Sequence, residues 1–245
     1  MTGPVIAGAV GIAFLAAGTQ SVTGFGFALV MVPLLSLIWD VKLAVVTSTL
    51  LTTVATVPLT LEVWRSIRPW KVAPLLLGSL VGIPVGIVIL DRIDPQALKI
   101  FVAAVVIAAS LILYFAPRLR LGGGGIGSPV VVGMLSGVLR ASTSMGGPPA
   151  VLYVLSRERG IEQFRSTILA FFLPSSLLTL TAMAIAGRGT PEVLGTSGVA
   201  LPALAAGLLA GAWLRSRVQQ EVFRTVALAV LVFTGIGVII SVSAV

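Results

Sequence analysis

The chain contains no cysteine and no histidine among its 245 residues. Without thiols there are no disulfides and no thiolate chemistry, and the usual zinc and haem ligand sets are excluded. Charge is also scarce: 10% of residues are Asp, Glu, Lys or Arg, against roughly 25% in a soluble domain. That is too little to cover a water-facing surface. The sixteen Lys and Arg give a formal net charge of +8 but are scattered singly, without the clustered basic face that nucleic acid requires. Nucleic acid is therefore not an expected partner. Alternating strand patterns are absent, which argues against a membrane barrel. The apolar run at the start has no basic leading region, so no removable leader peptide is expected.

What is present is apolar. Hydrophobic residues make up 57% of the chain, its mean hydropathy is +1.12, and runs near twenty residues recur, as spanning helices require. The expected fold class is an all-α integral membrane protein. Eight apolar blocks can be drawn, at 4–39, 41–63, 72–90, 96–116, 129–156, 164–187, 193–214 and 220–243. Six have the length of one helix. The first reads "PVIAGAVGIAFLAA", "GTQSVTGFG", "FALVMVPLLSLIW", and the fifth reads "PVVVGMLSGVL", "RASTSMGGPP", "AVLYVLS". Each is two short arms around a polar, glycine-rich centre. An arm of roughly 11–14 residues extends about 16–21 Å, short of a core about 30 Å thick.

The chain also repeats. "GIPVGIVILDRIDPQALK" (82–99) lies over "GLLAGAWLRSRVQQEVFR" (207–224) at a shift of 125, and "VVTSTLL" (45–51) lies over "QFRSTIL" (163–169). The predicted organisation is a first repeat over 1–117, a joint "RLRLGGGGIGS" at 118–128, and a second repeat over 129–245. Each repeat holds one broken block and three spanning helices. Charge selects the topology. If all eight blocks crossed, the loop Lys and Arg would divide six against nine. If 4–39 and 129–156 are re-entrant hairpins, residues 65, 68, 71, 118, 120, 157, 159, 165, 215, 217 and 224 fall on one side, with only 42, 92, 99 and 188 on the other. That asymmetry is what the positive-inside rule asks for. Three crossings per half make the repeats inverted and put both termini outside the cytoplasm.

Irregular backbone at membrane depth is tolerated where protein or a water-filled cavity satisfies its polar groups, and paired broken helices at a midplane site are the plan of secondary transporters. The two centres are therefore expected to meet and to bind an anion. Helix N-termini there would present free N–H groups and a partial positive charge. Arg140 supplies a guanidinium fork suited to the oxygens of an oxyanion, and no acidic residue lies in either centre to neutralise it. The candidate substrate-binding residues are Gln20, Ser21, Thr23, Gly24, Arg140, Ser142, Thr143, Ser144 and Gly147. Thr47, Ser48, Ser166 and Thr167, in the helices that follow, are secondary candidates. No metal site, catalytic constellation or cofactor is expected, because no His, Cys or mid-membrane carboxylate is available for chemistry. An enzyme is the disfavoured class. The GxxxG pairs at 82–86 and 207–211 allow close helix packing, within one chain or between two copies, so a homodimer stays open. The other expected partners are a small anion and membrane lipid.

The broken opening block, the "AVVTST" that starts the next helix and the "MGGPPAVLYVL" of the second half resemble the sulfite exporter TauE/SafE family of bacterial membrane transporters. The resemblance covers essentially the whole chain, including its duplicated layout. It implies transport of sulfite, sulfoacetate or another sulfonate across the bacterial cytoplasmic membrane, usually outward. The alternatives it leaves are an anion channel and an importer of a carboxylate or sulfonate.

Overall fold

The computed structural model of the protein describes residues 3–115, 128–158, 160–215 and 217. Most of the 118–128 joint and the whole 220–243 block lie outside them. The described elements are helical: α1 (Gly3–Thr23), α2 (Phe27–Ser36), α3 (Val41–Val63), α4 (Pro69–Arg92), α5 (Pro95–Phe115), α6 (Pro129–Thr143), α7 (Gly147–Arg157), α8 (Ile161–Ile185) and α9 (Pro191–Arg215). A short 3-10 turn, Trp64–Ser66, follows α3. Among the described residues, five helices are long and apolar enough to cross a membrane: Ile6–Thr23, Val41–Ser66, Pro69–Arg92, Glu162–Ile185 and Pro191–Arg215. The protein is an all-α membrane protein.

Some acids at block ends work locally as helix caps. Asp40 accepts hydrogen bonds from the backbone N–H of Lys42 (2.9 Å) and Leu43 (3.1 Å) at the start of α3. Asp94 does the same for Gln96 and Ala97 at the start of α5. Each cap satisfies N–H groups that a helix start leaves without partners.

The broken blocks differ from the expected short arms. The helix does not stop at the polar centre. α1 runs through Gly18, Thr19, Gln20 and Ser21 and breaks only at residues 24–26. Its 21 residues extend about 31 Å at 1.5 Å each. The reason is that each polar side chain finds a partner without unwinding the helix. Thr19 donates back to the Leu15 carbonyl (2.9 Å), Gln20 donates to the Thr56 hydroxyl (2.8 Å), and Ser21 donates to the Leu208 carbonyl (2.8 Å). In the second block α6 likewise carries Arg140–Thr143 in its last turn, and the break falls at residues 144–146.

Glycine decides which helices touch. A Cβ at Gly82 would stand 2.1 Å from the Met134 carbonyl oxygen, and one at Gly86 would stand 2.4 Å from that of Val138. On α9, a Cβ at Gly207 would lie 2.3 Å from the Phe14 oxygen, and one at Gly211 would lie 2.6 Å from the Gly18 oxygen. Both GxxxG pairs therefore pack inside the chain, α4 on α6 and α9 on α1. In lipid, where burying apolar surface from water no longer drives helices together, such close contact is a main source of association. The helices contacted belong to the two broken blocks, so each hairpin is held by the small-residue helix of the other half.

Ion pairs sort the two ends of the bundle. At one end Lys71 Nζ meets Glu158 at 2.6 Å, and Glu62 pairs with both Arg165 and Arg215. At the other, Asp91 holds Arg188 through its carboxylate and Lys42 Nζ through its carbonyl at 3.1 Å. Lys42 and Glu62 lie at opposite ends of α3, so these are opposite ends of the molecule.

Candidate functional site

The two breaks meet over α3 and α8. A small pocket lies between them, lined by Gln20, Phe25, the turn Gly26–Leu29, Thr52, Arg140, Ser144, Met145, Gly147 and Phe172. Among the described residues, Arg140 is its only charged one. Arg140 is 3% exposed and its Cζ stands 4.6 Å from the centre of the Phe172 ring. No acidic group pairs with it among the described residues, and its buried Nε has no hydrogen-bond partner. Gly146 makes room for it: a Cβ there would come within 2.7 Å of Arg140 Cβ and 3.1 Å of its Nε.

Gln20 faces the same space from α1. Its amide N–H donates to Thr56 Oγ1, which itself donates to the Thr52 carbonyl at 2.6 Å. That commits the amide nitrogen and leaves Gln20 Oε1 buried without a partner. The Thr52 hydroxyl is also buried and unpartnered. Three unsatisfied polar atoms thus border one pocket. Buried polar groups normally find partners, so such a concentration points to a ligand site.

The two breaks use the same backbone device. Gly24 and Ser144 each take a left-handed conformation, with φ of 82° and 64°. Each donates its N–H four residues back, to the Gln20 and Arg140 carbonyls, both at 2.8 Å. This is the left-handed helix stop that glycine normally supplies. Ser144, which carries a Cβ, adopts it at a cost of about 1–2 kcal/mol. Strain of this kind concentrates where a site over-determines the backbone.

The first tip presents a helix start to the pocket. Gly26 and the first residues of α2, Phe27, Ala28 and Leu29, line the pocket, and no side chain caps that helix start. The second tip does not match this expectation. α7 begins Gly147-Pro148-Pro149, and two prolines remove N–H donors that an anion would use.

Of the nine first candidates, the structure brings Gln20, Arg140, Ser144 and Gly147 to the pocket. The hydroxyls of Ser21, Thr23, Ser142 and Thr143 are spent elsewhere. Ser21 donates to Leu208, Thr23 to Thr19, Ser142 to Val138 and Thr143 to Leu139. In the last three the acceptor is the carbonyl four residues back, the usual alternative for a helical hydroxyl. Gly24 shapes the turn and stands against Arg165. Thr47 and Ser48 are buried without partners but lie outside the pocket lining. Ser166 bonds the Gln163 carbonyl, and Thr167 reaches the Glu158 carboxylate. Sequence reasoning expected helix N-termini at the tips, but it did not single out Thr52, Phe25 or Phe172. Thr52 falls in the hydroxyl-rich run 47–53, whereas nothing in the sequence marks Phe172.

No curated protein and no solved structure matches the chain. Residues 9–238 match the family described as sulfite exporter TauE/SafE. That span takes in both breaks and every pocket residue, and with the apolar helices it makes this chain a membrane transport protein belonging to the sulfite exporter TauE/SafE family.

Proposed function

We propose that the protein exports a small sulfur oxyanion or sulfonate, sulfite or sulfoacetate being the leading candidates, through the pocket between the two breaks. The observation that carries this reading is Arg140, a buried guanidinium with a free N–H, no acidic partner among the described residues, and the uncapped start of α2 across the pocket. A buried charge at membrane depth is costly unless paired, and a bound anion supplies the pair. Gln20, Arg140, Ser144, Gly147 and Thr52 form the proposed binding set, closed by the rings of Phe25 and Phe172.

The layout we propose is a duplicated, inverted one, with repeats over 1–117 and 129–245. Element positions support it. Thr23 and Thr143 end α1 and α6, Phe27 and Gly147 begin α2 and α7, and Val41 and Ile161 begin α3 and α8, each pair 120 residues apart. Gln20 and Arg140, and Thr52 and Phe172, stand at the same separation, and all four line the pocket. The site then sits on the axis relating the halves. The re-entrant topology is supported by the Lys71–Glu158 pair and the Glu62–Arg165–Arg215 cluster. If every block crossed, the partners in these contacts would be on opposite sides of the membrane. The basic end is then the cytoplasmic one, in the bacterial inner membrane, with both termini outside.

Purified protein in liposomes tests the function. Saturable counterflow of sulfite, with thermal stabilisation by sulfite or a sulfonate, is the expected result. Unsaturable sulfite flux would move the reading to a channel. Stabilisation by neither anion, with no flux, would remove it.

A further inference from the structure

Next to the pocket lies a second cluster that the transport reading leaves unused. Arg165, at the start of α8, donates from Nη2 to the Ser21 carbonyl and to Glu62 Oε2, both at 3.3 Å. Arg215, at the end of α9, donates from Nη1 to the same two oxygens at 3.2 and 3.3 Å, and its Nη2 pairs with Glu62 Oε1. Two guanidiniums from different helices converge on one carboxylate and one carbonyl. Among the described residues the charge does not balance, for one anion faces two cations. Arg165 is 9% exposed, and its buried Nε still lacks a partner. The carboxylate is the loose member, with the Glu62 side chain 43% exposed.

We propose that Arg165 and Arg215 form a second oxyanion site at the basic mouth of the protein, and that Glu62 is its tethered occupant, displaced when a substrate anion arrives. The inference rests on the anion-transport reading of the central pocket. Two forks that already hold a carboxylate are matched to the oxygens of a sulfite or sulfonate. The Ser21 carbonyl keeps both in place when Glu62 swings into water. The route inward is short. Ser21 adjoins Gln20 of the pocket. A Cβ at Gly24 would lie 3.1 Å from Arg165 Cγ, and Phe25, which lines the pocket, packs edge-on against Phe164 with ring centres 6.3 Å apart. The Gly24–Phe25 turn and this ring pair separate mouth from pocket.

The site belongs to one end only. Position 45, which stands 120 residues before Arg165, is Val45, and position 90, which stands 125 before Arg215, is Leu90. Both are buried in one apolar cluster. The repeat-equivalent positions at the opposite end therefore carry no cations; of the described cations there, Arg188 pairs with the Asp91 carboxylate and Lys42 with its carbonyl, so the two-fork site is built on the basic side.

The test uses liposomes with the basic face accessible, and sulfite as the probe. Glu62→Gln removes the charge of the tethered occupant, and half-saturation by sulfite from this face should fall about tenfold. Adding Arg215→Gln should abolish that gain. The Glu62→Gln/Arg140→Lys protein should keep sulfite-dependent thermal stabilisation while losing transport. Arg215→Gln alone retains a charge-matched Glu62–Arg165 pair, and should raise half-saturation about tenfold from the basic face and not from the other. A structural staple would lower thermal stability without this sidedness. Unchanged half-saturation in Glu62→Gln overturns the proposal. If Glu62→Gln does not fold, unchanged half-saturation in Arg215→Gln overturns it. Wild-type counterflow reports separately on the central pocket, so failure of one reading is distinguishable from failure of the other.

Discussion

Replacing Arg140 by methionine should strengthen the empty protein and disable the loaded one. Among the described residues the guanidinium has no acidic partner, an unsatisfied Nε–H and a ring contact with Phe172 at 4.6 Å. An arginine at the centre of a membrane helix costs about 2.5–3.5 kcal/mol on insertion scales. The cation–π contact with Phe172 returns up to about 2 kcal/mol when desolvated. Methionine keeps an apolar stem of similar reach and fills irregular space. The difference leaves a net gain of about 1 kcal/mol for Arg140→Met without ligand. With ligand the sign reverses. A hydrogen bond to a charged group is worth about 1.5–3 kcal/mol, so losing a two-pronged contact weakens binding by about 3–6 kcal/mol, or more than about a hundredfold. Thermal unfolding of the purified variant, with and without sulfite, reads both quantities. Arg140→Lys separates charge from geometry, since the ammonium keeps the charge and loses the fork; it should lose about tenfold or more in affinity. If Arg140→Met clearly destabilises the empty protein, the guanidinium is holding the fold together, and the argument from its missing partner is refuted.

Three other outcomes follow from the same structure. Reporters active only in the cytoplasm should work when fused within 118–128 and fail when fused at Val245; activity at Val245 would overturn the re-entrant layout. Gly82→Ala should destabilise by a few kcal/mol, because its Cβ would stand 2.1 Å from a backbone oxygen, whereas Gly198→Ala on α9, with nothing within 4 Å, should be neutral or stabilising by up to about 1 kcal/mol; thermal melts of the two variants decide. Sulfite efflux from liposomes should follow an imposed membrane potential, which supplies about 2.3 kcal/mol per charge for each 100 mV, without any proton or sodium gradient, as uncoupled export of an anion requires; transport that ignores the potential and requires a proton gradient would refute uncoupled export.

Much of the fold was legible in the sequence. Apolar length and charge are properties of a segment by itself, so the run 41–63 corresponds residue for residue to α3, and 193–214 lies within two residues of the ends of α9. Arg140 stood out for the same reason, because a lone cation in an apolar run needs no neighbour to be conspicuous. The shift of 125 that relates Gly82 to Gly207 and Gly86 to Gly211 was visible in the letters, although the helices those glycines touch were not.

What only the tertiary structure decided is anything that depends on how a helix is turned. These helices are apolar on nearly every side, so no polar stripe announces a buried face. Thr52 and Ser142 look alike in sequence, yet one hydroxyl is left free beside the pocket and the other bonds back to its own helix. The polar centre of the first block looked like a break, but contacts with Thr56 and Leu208 keep it helical as far as Thr23. Phe172 carries no signal until α8 is rotated under Arg140. Glu62, Arg165 and Arg215 are at least fifty residues from one another along the chain, and only packing shows that two cations share one carboxylate. Segment class follows from composition, because each residue's preference for lipid adds to the next. Site membership does not, because it rests on which few atoms lack a partner once every helix has been oriented.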